Sequence, residues 1–151
     1  MRPMILAALL AATCAAASTA SACGVCVEDK IAAVYDHAAV TRALEVNNTV
    51  VFFAIEGAIP AGAAALRKIA AIAASAPGVD KQSVRVSRDG ASLAISFDPR
   101  RAELAKVQKT LDRSLGAMGL SLLAMREMSS PGDLAPLYVG RQGFARSAPG
   151  K

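Results

Sequence analysis

Tryptophan is missing from this 151-residue chain, while tyrosine occurs twice, phenylalanine four times and histidine once. So few rings cannot build a base-stacking platform, and nucleic-acid binding is not expected. One histidine, scattered carboxylates and no glycine-rich phosphate loop support neither a Ser-His-Asp arrangement nor a nucleotide fingerprint, so an enzyme is not expected. Three cysteines are too few for a disulfide scaffold. No segment beyond the first residues is apolar for long enough to cross a bilayer. Lysine and arginine outnumber aspartate and glutamate by 17 to 12, a net charge of +5. That excess is spread along the sequence rather than gathered into a stripe, and reads as ordinary surface.

The front of the chain has the three parts of an export signal. Arg2 is the basic start, Met4 to Ala12 is apolar, and Ala20-Ser21-Ala22 is a small-residue cleavage pattern. Residues 1–22, with Cys14, are therefore set aside, and the mature protein is expected in the periplasm or secreted. Cleavage after Ala22 would leave Cys23 first. The alternative is a lipid anchor on Cys23, as in a membrane-anchored lipoprotein, although Ala20 stands where a lipobox normally has leucine.

Cys23-Gly-Val-Cys26 then opens a segment, 23–46, with helical spacing: Val27, Ile31, Val34, Tyr35 and Ala38 share one face. Thr49 to Glu56 is a β-branched and aromatic run typical of a buried strand. Pro60 begins an alanine-rich helix bearing Leu66, Ile69, Ala70 and Ala73 on one stripe, stopped by Ala76-Pro77-Gly78. Val84 and Val86, then Leu93, Ile95 and Phe97, flank Arg88-Asp89-Gly90 as a hairpin. Asp98-Pro99 reads as the start of a second helix carrying Leu104, Val107, Leu111 and Leu115. Leu120 to Met125 supplies a fourth strand. From Ser129 to Lys151 the sequence is aperiodic and is expected to be a mobile tail.

The order strand-helix-strand-strand-helix-strand over residues 49–128 predicts an α+β, ferredoxin-like βαββαβ sandwich. It has one antiparallel four-stranded sheet with two helices on a single face, preceded by an N-terminal helix. Within it, Glu56-Gly57, Ala76-Pro77-Gly78-Val79, Ser96-Phe97-Asp98-Pro99 and Ala117-Met118-Gly119-Leu120 fall in the order and spacing of a known family. This region resembles a heavy-metal-associated domain, the fold of small copper and mercury carriers. The resemblance implies a Cys-x-x-Cys after the first strand, yet Pro60 and Ala63 occupy those two positions. The upstream Cys23-Gly-Val-Cys26-Val string is itself similar to the family's metal loop.

Two thiolates three residues apart suit a soft ion such as Cu(I), so Cys23 and Cys26 are the candidate metal ligands, exchanging with a metal-donor or metal-acceptor protein. Closed tetrahedral zinc would need more donors than two thiols and one histidine. On a continuous helix His37 would lie roughly 16 Å from Cys26, too far to share an ion. Met118, Met125 and Met128 read as core filling rather than thioether ligands. The alternative is a structural or interaction protein with a Cys23–Cys26 disulfide, since an exported chain meets an oxidising compartment. A third reading is a thiol-disulfide exchange protein, because Cys-Gly-Val-Cys is similar to a thioredoxin-type site.

Overall fold

The structure, a computed structural model, describes residues 26–134. The segment expected to be an export signal, Cys14, Cys23 and the residues beyond Leu134 lie outside the described residues. The elements are α1 (Val27–Ala32), α2 (His37–Glu45), β1 (Thr49–Glu56), α3 (Ala63–Ser75), β2 (Arg85–Ser87), β3 (Ser92–Phe97), α4 (Leu104–Gly116) and β4 (Ser121–Met128). The four strands form one sheet in the order β2-β3-β1-β4, and every neighbouring pair is antiparallel. It follows that β1 and β2 are parallel with β3 between them, and β3 and β4 are parallel with β1 between them. Each crossover helix thus bridges two parallel strands around a third. This is the expected α+β ferredoxin-like sandwich.

α3 and α4 cover one face of the sheet. Ile69 and Ala73 from α3, and Val107, Leu111 and Leu115 from α4, pack on Val51, Phe53, Ile55, Leu93, Ile95 and Phe97. The opposite face is covered as well. Ile31, Val34, Val40, Ala43 and Leu44 pack on Val50, Phe52, Ala94 and Met128. The two crossover helices share one face as expected, and the N-terminal segment, whose packing the sequence left open, covers the other, so the sheet is the middle of three layers. Tyr35 completes the second core by stacking on Phe52, with ring centroids 6.2 Å apart.

Three boundaries differ from the sequence expectation, each for a local reason. The N-terminal segment is two helices instead of one, because Asp36 caps α2 by accepting the Ala39 N–H at 3.0 Å. α3 begins at Ala63 rather than beside Pro60, because Arg88 holds the carbonyls of Pro60 and Gly62 at 2.9 and 2.7 Å in the preceding loop. α4 begins at Leu104, since the Asp98 carboxylate accepts the Arg100 N–H at 2.9 Å and closes a turn of its own. The start of the expected tail is also shaped. Pro131–Leu134 form a 3-10 turn in which Asp133 accepts the N–H groups of Ser129 and Ser130, both at 2.8 Å.

The β2–β3 hairpin is present, but the positive φ falls on Ala91, at 42°. Gly90 serves a different purpose. A methyl group there would sit 2.6 Å from Ala33 Cβ and 2.8 Å from Ser92 Oγ, so only glycine lets the end of α1 settle on the hairpin. Gly90→Ala is expected to destabilise the protein by about 1–3 kcal/mol through overpacking. Ala33→Gly in the same chain should recover part of the loss. Urea unfolding of the single and double variants checks this, and strict additivity of the two changes would refute the contact.

Asp36 also ties the second layer to the sheet, bonding Arg85 of β2 at 2.8 Å. Its carboxyl is held below its ordinary value, first by the Ala39 N–H and then by the Arg85 guanidinium. A folded-state pKa below the unfolded one means that protonation favours unfolding. The contribution is complete above the unfolded carboxylate pKa and fades as pH falls through the depressed folded value. Asp36→Ala should lower the thermal midpoint at neutral pH, with the gap to wild type narrowing in acid. A gap independent of pH would argue against this electrostatic role.

Candidate functional site

Cys26 is the N-cap residue of α1, with its side chain exposed and its thiol free. Its carbonyl accepts the Lys30 N–H at 3.0 Å, while its side chain makes no capping bond. Backbone bonding therefore fixes the start of the helix, and the sulfur is left to solvent. Five residues later in the helix the chain is anchored, since Ile31 is only 3% exposed in the second core. The thiol is thus presented from a short, packed helix on the sheet face opposite α3 and α4. Its intended companion, Cys23, lies outside the described residues.

His37 opens α2 and is exposed. Its Nδ1 lies 3.2 Å from the Tyr35 hydroxyl. The break between α1 and α2 removes the premise of a continuous helix on which its separation from Cys26 was reckoned. Among the described residues, no group of three or more His, Cys, Asp or Glu side chains is placed to hold a metal ion. Met128 is 1% exposed in the second core, Met125 is partly buried against it, and Met118 packs against the first. All three have the core-filling role.

The loop between β1 and α3, where the family resemblance implies a thiol pair, has a defined shape without ligands. Gly57 turns at φ 99°, and a side chain there would run into the carbonyl of Gly119. The strand end is therefore pressed against the turn that leads into β4. Pro60 and Ala63 are exposed, and neither side chain carries a donor. Arg88 donates two hydrogen bonds from one nitrogen, Nη2, to the loop carbonyls. A guanidinium in that position adds a positive charge where a metal carrier would gather negative ones. The residues present do not fit a metal ion in this loop.

One turn of the chain contacts both places. Arg88 grips the β1–α3 loop, and Gly90, two residues on, receives Ala33 at the end of α1. Among the described residues, no helix is long and apolar enough to cross a membrane. No protein-family model matches the chain, and no curated protein matches it.

Proposed function

We propose that this is an exported, non-enzymatic protein that binds a soft metal ion, Cu(I) or one of similar softness, through Cys23 and Cys26. It hands the ion to a partner protein by ligand exchange. The observation that carries this reading is the exposed, free thiol of Cys26, held at the surface by a helix packed into a core. Two thiolates favour soft ions and a low coordination number, and they leave the ion open to an incoming thiol. The thiol-free β1–α3 loop, shaped by Gly57 and Arg88, serves as the docking surface for that partner. Localisation in the periplasm, with or without a lipid on Cys23, fits the same reading.

A second reading has one observation in its favour. An exposed thiol in an oxidising compartment is open to pairing, so a Cys23–Cys26 disulfide on a purely interacting protein competes with the metal reading. Native mass spectrometry of protein isolated under mild conditions and supplied with Cu(I) separates the two. Wild type should take up a single ion, and both Cys23→Ser and Cys26→Ser should abolish uptake. A disulfide that resists physiological reductants and excludes metal would overturn the proposal in favour of the second reading. Arg88→Ala should leave uptake intact but slow transfer to a thiol-bearing acceptor protein, whereas unchanged transfer would remove the docking role of the loop.

A further inference from the structure

The positive charges that are scattered in sequence are sorted by the fold. Within α3 and α4 there are five cations, Arg67, Lys68, Lys106, Lys109 and Arg113, and one carboxylate, Asp112. All five cations are exposed. Asp112 accepts the Leu122 N–H at 2.7 Å and so is engaged toward β4. Lys106 is met by Glu103 at 3.3 Å, while the other four cations have no carboxylate partner among the described residues. Lys106, Lys109 and Arg113 recur at steps of three and four, which sets them in one stripe along α4. The strand directions make α3 and α4 antiparallel, so Arg67 and Lys68 in the first half of α3 lie beside the second half of α4. The layer on the other side of the sheet differs in sign. α1 and α2 carry two cations, Lys30 and Arg42, against three carboxylates, Glu28, Asp29 and Glu45.

We infer that the outer face of α3 and α4 is a docking surface for an anionic lipid bilayer, an inference independent of the metal reading. Charge complementarity selects a polyanion, and the rest of the face selects a planar one. The exposed positions between the cations are small, among them Ala64, Ala71, Ala105 and Ser114. A protein partner would be expected to find an aromatic or large apolar anchor in a pocket, and this face offers neither. Attraction to a sheet of phosphate headgroups needs no such anchor. It depends on how many cations approach the surface, and it falls away with salt over a Debye length.

The test uses the unlipidated protein and vesicles of phosphatidylcholine with or without phosphatidylglycerol, at low and high salt. Wild type should bind only the vesicles containing phosphatidylglycerol, and salt should release it. Each cation near the surface is worth about fivefold in partitioning. The combined change Arg67→Gln, Lys68→Gln, Lys109→Gln and Arg113→Gln should therefore weaken binding by about 10²–10³-fold. A control with the same net charge, Lys30→Gln, Arg42→Gln, Lys81→Gln and Arg126→Gln, should retain most of it. Lys109→Gln alone should show about the single-site loss, which guards against misfolding of the combined variant. Equal loss in the two combined variants would mean that only net charge matters, and would overturn the proposal. So would equal binding to neutral vesicles, or capture by heparin or an acidic protein without binding to anionic vesicles.

Discussion

Phe52 and Phe53 are neighbours in the chain, and both are fully buried. Successive residues of a strand point to opposite faces, so no single core can hold both. β1 therefore requires cover on each side, and every residue from Thr49 to Ile55 is buried. α3 and α4 supply one cover and α1 and α2 the other. A large apolar side chain gains about 1.5–3 kcal/mol on full burial. Stripping away the N-terminal pair would expose Ile31, Val40 and Leu44 together with Val50, Phe52 and Met128, a loss comparable with the whole stability of a small domain. The segment that carries Cys26 is consequently part of the folded body rather than an appendage.

That constraint bears on the expected resemblance to a heavy-metal-associated domain. A carrier of that family holds its ion in the loop after the first strand, on the sandwich itself. Here Pro60 and Ala63 fill those places and Arg88 bonds the loop carbonyls, so the loop has a defined shape without ligands. The thiol lies on the added layer. One turn, residues 88–91, touches both regions, with Arg88 on the loop and Gly90 on the end of α1.

The sequence of strands and helices along the chain and the hairpin were legible because turn chemistry and alternating residues are local signals. Val107, Leu111 and Leu115 were legible as the buried stripe of α4 for the same reason. The third layer was harder to see, although two signals pointed to it. Val50 to Ile55 does not alternate, which in an antiparallel sheet calls for burial on both faces. In β3, Ser92, Ala94 and Ser96 alternate with Leu93, Ile95 and Phe97 and so lie on the side of the second core. They are at most 4% exposed, and their small size lets α1 and α2 come close. The break before His37 had its own signal in Asp36, a good helix cap placed inside an apparently continuous helical run. Cys26 was legible as a candidate from spacing alone; its exposure and its place on the second layer depended on tertiary packing.

Net charge is the property that sequence reading treats least well, because a sum carries no direction. The +5 of this chain gave no sign of polarity along the sequence, yet the two outer layers differ in sign. The sheet separates them, so each can act without the other. A surface that attracts the α3/α4 layer meets its cations first and leaves α1 on the far side. Cys26 precedes α1 and therefore stays accessible from solvent when the opposite face is occupied. The arrangement that buries β1 twice is also what keeps a thiol layer and a cationic layer from competing for the same contact.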